Sequence, residues 1–221
     1  GNITTGGGST NINLIARGGA TNGNGGTVNI VAGNNVSITG AASNIDVSPA
    51  GTNGNGGTVN ITASNSSGTG DLTLSTNINA AGTGVGDGGT VRLTNNSSKI
   101  IVVNQPINVN AGTTGNGGQI FVQNYGNGPA NGGIDVQTIL KADASGSGSG
   151  GTVSIDACPT VGVAGAVNIG VTPFSANGAG VGNGGLIQIK GSQITDTVGS
   201  AINLTANAGT TGAGGTINLA A

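Results

Sequence analysis

The chain has 221 residues, of which 48 are glycine, while only 1% are aromatic and only 5% are charged. A chain of this length can bury a core, but so few bulky and charged residues exclude an ordinary globular domain, where about a quarter of the residues are charged. Five Lys and Arg, a net charge of -2 and no apolar run near the ~20 residues of a membrane span argue against nucleic acid as a partner and predict no membrane span.

A Gly-Gly pair recurs along the whole chain and is followed each time by a short segment of alternating polarity. The pairs lie at Gly25-Gly26, Gly56-Gly57, Gly88-Gly89, Gly117-Gly118, Gly150-Gly151, Gly184-Gly185 and Gly214-Gly215. Successive pairs are 31, 32, 29, 33, 34 and 30 residues apart, a period that is typical of a solenoid. The sequence therefore predicts an all-β, right-handed parallel β-helix of seven coils, each of about 31 residues with three short strands.

The segment after each pair alternates polar and apolar residues, as a strand with one buried face does. Stacking in register would bring the apolar residues into two columns that line the core. We expect the first core column to contain Val28, Val59, Val91, Ile120, Val153, Ile187 and Ile217. We expect the second core column to contain Ile30, Ile61, Leu93, Val122, Ile155, Ile189 and Leu219.

Two further strands in each repeat predict a triangular cross-section. One is expected around residues 36–38, 72–74, 101–103, 134–136 and 167–169. The other is expected to start at Ile12, Ile45, Ile78, Ile107, Leu140, Phe174 and Ile202. Corners rich in Gly and Asn, such as residues 52–55, are predicted to supply the positive φ values that sharp turns require.

The spacing of the repeats continues without a break from the last repeat into the first. No capping segment is visible, and reading on from Gly214 through Ala221 into Gly1 reaches Gly25 after 32 residues, which is one ordinary period. We therefore expect one solenoid domain over residues 1–221, uncapped at both ends, that continues head-to-tail either through identical chains or through further repeats. The residues expected at this end-to-end contact are Ile3, Ile12, Leu14, Ile202, Leu204, Ile217 and Leu219.

The motif Gly-Asn-Gly-Gly-Thr-Val-Asn-Ile, at residues 23–30 and 54–61, resembles the repeats of filamentous-haemagglutinin-like bacterial exoproteins. The segments at 71–74 and 78–82 add to this resemblance, which covers the whole chain. It implies a right-handed β-helix, secretion to the cell surface, and a structural or adhesive role in surface fibres or biofilm. Host or matrix surface glycans are then expected as partners beside the identical chains or further repeats.

Side chains for catalysis or metal binding are scarce. The chain has no His and no Trp, and its seven acids, all Asp, rarely occupy equivalent places in neighbouring repeats. Glycan hydrolysis requires paired carboxylates, so we expect no enzyme activity, no catalytic residue and no cofactor. Asp87 is similar to an acid of the calcium β-roll, but equivalent corners carry Asn24 or Asn55, so we expect no metal site. Cys158 is the only cysteine, which excludes an internal disulfide.

An alternative function follows from a partial row of threonines just before the first core column. The row consists of Thr27, Thr58, Thr90, Thr152 and Thr216. An outward Thr/Asn face would suit binding to ice or to a polysaccharide. Gln119 and Leu186 interrupt the row, and threonine is common in strands for reasons of packing alone, so we expect the fibre role to prevail.

Overall fold

The structure is a computed structural model that describes residues 1–5, 11–40, 42–64, 70–126, 132–157, 165–171, 173–197, 199 and 201–221. Cys158 lies outside these residues. Within them the chain forms β-strands and no helix, and the strands assemble into three parallel sheets of seven strands each. The parallel β-solenoid that the Gly-Gly period predicts is therefore confirmed.

Each coil contributes one strand to every sheet, in the chain order sheet 1, sheet 2, sheet 3. Sheet 1 contains β1 (Ile3–Thr5), β4 (Val36–Ile38), β7 (Leu72–Leu74), β10 (Ile101–Val103), β13 (Ile134–Val136), β16 (Ala166–Ile169) and β19 (Gln193–Asp196). Sheet 2 contains β2 (Asn13–Ile15), β5 (Asn44–Asp46), β8 (Asn77–Asn79), β11 (Ile107–Asn108), β14 (Leu140–Lys141), β17 (Phe174–Ser175) and β20 (Leu204–Thr205). Sheet 3 contains β3 (Thr27–Ala32), β6 (Thr58–Ala63), β9 (Thr90–Asn95), β12 (Gln119–Asn124), β15 (Thr152–Asp156), β18 (Leu186–Lys190) and β21 (Thr216–Ala220).

The two apolar columns of sheet 3 stack in register through all seven coils. In the five interior coils every member of both columns is 0% exposed, because the strands above and below and the two other sheets enclose it. In the first coil Val28 and Ile30 are only partly buried, and in the last coil Ile217 is 46% exposed and Leu219 is 53% exposed. The core is thus continuous along the rod and open at both ends.

The Gly-Gly pair forms the corner between sheets 2 and 3. The second glycine donates its N–H to the carbonyl that closes the preceding sheet 2 segment, as from Gly57 to Val47 at 2.8 Å. The first glycine lies against the next coil, where a Cβ on Gly88 would be 1.8 Å from the Val109 carbonyl oxygen. Real Cβ atoms do not approach oxygen so closely, so the repeat of the pair has a steric cause.

Positive φ is not the reason for glycine in the corner at residues 52–55. The described glycines with positive φ are Gly84, Gly146, Gly180 and Gly199. Gly54 is not among them, and a Cβ there would be 2.3 Å from the Gly23 carbonyl oxygen. The prediction of positive φ is confirmed at the equivalent corners of later coils, by Gly84, Gly146 and Gly180. It was wrong at Gly54, because close stacking between coils, and not a left-handed turn, requires the small residue there.

The register of sheet 2 differs from the prediction in the first and last coils. Leu14, and not Ile12, pairs with Ile45. Leu204, and not Ile202, pairs with Phe174. Each end coil carries two aliphatic residues two positions apart, so the period of two fits both alignments equally, and only pairing with the neighbouring coil selects one.

Candidate functional site: the two rims of the solenoid

The first rim is the open face of the first coil, formed by β1, β2 and β3. These strands pair only on the side of β4, β5 and β6, so their opposite edges have no partner strand among the described residues. The rim surrounds a cavity of about 330 Å³ that continues the core outward. Its aliphatic lining includes Ile3, Ile12, Leu14 and Ile30.

The second rim is the open face of the last coil, formed by β19, β20 and β21. Each strand pairs only with the strand before it in its sheet, β16, β17 or β18. Three large aliphatic side chains remain substantially exposed there, with Ile202 at 38%, Ile217 at 46% and Leu219 at 53%. Ile194 and Leu204 are partly buried against the core.

The two rims carry matching aliphatic residues in one column of sheet 1, in the column of sheet 2 and in both columns of sheet 3, whereas the second inward column of sheet 1 ends in Thr5 and Asp196. The pairing through sheet 1 places Ile3 and Ile194 at opposite ends of one column, and sheet 2 does the same for Leu14 and Leu204. The first core column of sheet 3 ends in an aliphatic residue at both rims, and so does the second. Ile194, Val28 and Ile30 were not among the expected contact residues, although their place in the columns would have identified them.

Ile12 and Ile202 occupy one further equivalent position, two residues before the inward residue of sheet 2. All five interior coils have a polar residue at this position of the sequence, and Ser43 there is 1% exposed and accepts a hydrogen bond from the Ile12 N–H at 3.0 Å. The polar residues are Ser43, Thr76, Gln105, Thr138 and Thr172. Isoleucine at both rims therefore adds apolar surface where a further coil would cover it.

Gly214 has no carbonyl oxygen of a following coil close to it, whereas such an oxygen explains why its six counterparts are glycine. In each earlier coil a Cβ on the first glycine of the pair would lie 1.6 to 2.1 Å from a carbonyl oxygen of the next coil. At Gly214 nothing lies within 4 Å of the Cβ position. Continuing the winding would place the carbonyl of the residue equivalent to Ala206, which in the first coil is Ala16, against Gly214.

A row of side-chain hydrogen bonds runs along the same corner, and we call it the corner ladder. Each side-chain oxygen accepts from the backbone N–H of the same position in the next coil, at 2.7 to 3.2 Å. Its members are Asn24, Asn55, Asp87, Asn116, Ser149 and Asn183, and Ala213 donates the last N–H. Asp87 thus acts here as an acceptor equivalent to asparagine.

Side chains that could bind a metal or act in catalysis are scarce elsewhere in the described part of the chain. No group of three or more His, Cys, Asp or Glu that could hold a metal ion occurs among the described residues. A groove of about 540 Å³ crosses several coils beside sheet 1, and the residues that line it include Asp71, Lys99, Asn168 and Gln193. The absence of enzyme activity and of a cofactor stays a prediction.

The outward side of sheet 3 changes character along the rod. In the first three coils Thr27, Thr58 and Thr90 lie in register, and the Asn60 amide donates to the Asn29 side-chain oxygen at 2.8 Å. The regular rows stop in the third and fourth coils, where the Arg92 guanidinium lies 4.1 Å from the centroid of the Phe121 ring. The outward Thr row is therefore regular over three coils and the Asn row over two.

No protein-family model matches this sequence, and neither a curated protein nor a solved structure matches it. Among the residues that the structure describes, no helix is long and apolar enough to cross a membrane.

Proposed function

We propose that this chain is a structural and adhesive segment of an extracellular surface filament, and that its winding continues head-to-tail at both rims. The next coil belongs either to an identical chain or to a further repeat of the same polypeptide. Gly214 is the observation that carries this proposal. Only a coil that follows it gives glycine at this position the steric reason that its six counterparts have.

The exposed surface of the rims favours such a contact. Unpaired strand edges are templates for pairing with another strand. Ile202, Ile217 and Leu219 are each 38 to 53% exposed, and burying the exposed part of such a side chain contributes about 1 kcal/mol. Because the first rim meets the second and not itself, the contact is heterologous and does not close, and it produces a rod.

A secreted, adhesive role rests on the resemblance of the repeats to filamentous-haemagglutinin-like exoproteins and on the outward polar rows of the rod. Host or matrix glycans are the surface ligands that this role implies. Immunogold labelling of intact and of sectioned source cells tests the location: label along surface fibres supports the proposal, and label found only inside sectioned cells contradicts it.

Joining of the rims is tested by Gly214→Ala. Each copy contributes seven coils, so joined copies are expected to form rods whose lengths are multiples of ~34 Å at ~4.8 Å per coil. Gly214→Ala should leave the folded copy intact, since nothing surrounds the added Cβ, and should abolish the longer rods. Electron microscopy and analytical ultracentrifugation over a range of concentrations measure this.

Thr73→Ala is the matched control, because Thr73 faces outward from the third coil of sheet 1, far from both rims. It should form rods like the unmodified chain. Unmodified protein that stays as single copies at high concentration, or Gly214→Ala rods as long as those of the control, would contradict head-to-tail joining.

Binding to ice or to a polysaccharide is the second candidate, and the Thr row of the first three coils with the Asn pair of the first two favours it. Thermal hysteresis, or retention on an insoluble polysaccharide, measures this activity. Loss of that activity in Thr58→Lys, with retention in Gly214→Ala, would favour surface binding over the filament role.

A further inference from the structure

The corners of the solenoid contain many Asn–Gly steps, which are the dipeptides most prone to deamidation because glycine does not shield its own nitrogen. In this reaction the glycine nitrogen attacks the asparagine Cγ, a new N–Cγ bond forms, and the Cγ–Nδ2 bond breaks. Ammonia leaves with the proton of the glycine amide, and water then opens the succinimide to Asp or isoAsp. The described steps begin at Asn22, Asn24, Asn53, Asn55, Asn116, Asn177 and Asn183.

In five of these steps one residue of the next coil holds both reacting groups. Asp87, for example, donates its N–H to Oδ1 of Asn55 at 2.8 Å, and its carbonyl accepts the N–H of Gly56 at 2.9 Å. The carboxamide therefore points toward the next coil, and the glycine N–H is hydrogen-bonded to the same residue of that coil. We call these the held steps, and their bonds are all 2.7 to 3.0 Å long: Asn24, Asn55, Asn116, Asn177 and Asn183.

The other two steps, at Asn22 and Asn53, are held less tightly, and we call them the loose steps. The side-chain oxygens of Asn22 and Asn53 accept hydrogen bonds at 3.3 Å, from the Asn53 amide and the Val85 N–H respectively. The N–H groups of Gly23 and Gly54 donate at 3.2 Å. Each loose step lies only two residues before a held step, so the two classes share a corner and its solvent exposure.

We propose that the stacked corners protect the held Asn–Gly steps from deamidation, so that this modification is confined to coils that have opened. Attack on Cγ requires the glycine N–H to leave its carbonyl acceptor and the carboxamide to rotate away from the N–H that it accepts. Both changes break bonds between coils. An opened coil that forms isoAsp gains an extra backbone methylene and cannot restack in register, so deamidation marks it irreversibly.

The experiment compares Asn53 and Asn55 in the folded protein and in protein kept unfolded in urea, at mildly alkaline pH. Peptide mapping by mass spectrometry measures conversion at each site. In urea both sites should convert at similar rates. In the folded protein Asn55 should convert at least about tenfold more slowly than in urea, because the reaction waits for local opening, and Asn53 should convert faster than Asn55. Equal rates at Asn55 in the two states, or equal rates at Asn53 and Asn55 in the folded protein, would overturn the proposal.

Val181→Asn separates the effect of the carboxamide's bond to the next coil from general rigidity of the corner. Val181 is 66% exposed and precedes Gly182, whose N–H donates to the Ala179 carbonyl of the same coil at 2.8 Å. The variant therefore carries an Asn–Gly step with a bonded glycine N–H but with a carboxamide that projects into solvent, two residues before the held Asn183. The introduced asparagine should convert while Asn183 in the same molecule does not. If both stay intact in the folded variant while both convert in urea, the bond from the carboxamide to the next coil is not what protects the held steps, and the proposed role of that bond is refuted.

Discussion

At the residue scale, glycine is needed in the Gly-Gly pair because neighbouring coils contact each other closely there. The first glycine of each interior pair lies under a carbonyl of the next coil, and the second donates its N–H across the corner, as Gly89 does to Ala80 at 2.7 Å. A side chain at the first position would force the coils apart. The short distance between stacked coils therefore requires the glycine pair, and a special backbone conformation does not.

Gly88→Ala tests this requirement. The added Cβ would lie 1.8 Å from the Val109 carbonyl oxygen and 2.5 Å from the Gly118 nitrogen, so we expect the free energy of unfolding to fall by about 3 kcal/mol or more. Gly214→Ala makes the same change where nothing lies within 4 Å, and its effect should stay within about 0.5 kcal/mol. Urea unfolding of single copies measures both. Similar losses in the two variants would show that glycine is needed here for another reason.

At the element scale, the corner ladder supplements the backbone pairing of the three sheets. Its oxygens satisfy backbone N–H groups at a corner, where the regular strand ladder has ended. Asp87 accepts both the backbone N–H of Asn116 at 2.7 Å and its side-chain amide at 3.1 Å. An amide oxygen in place of the carboxylate accepts the same bonds, which explains why asparagine and aspartate share one column.

Asp87→Ala and Asp87→Asn form a matched pair for the ladder. Asp87→Ala removes the acceptor, and we expect a loss of about 1 kcal/mol in the free energy of unfolding. Asp87→Asn keeps an oxygen acceptor and should stay within about 0.5 kcal/mol of the unmodified chain. Chemical denaturation followed by circular dichroism distinguishes them. A greater loss for Asp87→Asn than for Asp87→Ala would show that the negative charge matters, contrary to a ladder of equivalent acceptors.

At the scale of the whole molecule, stability is a sum of contacts between neighbouring coils, and the end coils have only one neighbour each. The buried columns of the interior and the half-exposed Ile217 and Leu219 show this difference directly. The rims are therefore both the least stable part of a single copy and the surface through which copies are proposed to join.

Hydrogen exchange of the backbone amides links these two properties. In single copies the amides of β12 should exchange most slowly and those of β3 and β21 most quickly, because the end coils open without disturbing the centre. At concentrations where rods form, β3 and β21 should gain protection while β12 stays unchanged. Gly214→Ala should remove that gain. Protection of β21 equal to that of β12 in single copies would contradict the nearest-neighbour description.

The sequence by itself determined the solenoid, its period and the two core columns of sheet 3. Alternation at period two and a Gly-Gly pair at nearly constant spacing are local patterns, and they specify which residues face inward without knowledge of any contact. Val59 and Val91 could be placed in one column for this reason, and the structure pairs them in register.

Only the tertiary structure decided which of two alternating aliphatic residues enters the column in the end coils. It also decided why the first position of the pair has room only for glycine, and which asparagines form hydrogen bonds to the next coil. Each of these depends on the position of atoms about thirty residues away in the chain. The pattern of Ile12 and Leu14 fits either alignment, and the environment of Gly214 differs from that of Gly184 although their local sequences are alike. A periodic sequence specifies what repeats, whereas the stacking of one coil on the next determines what each repeat contacts.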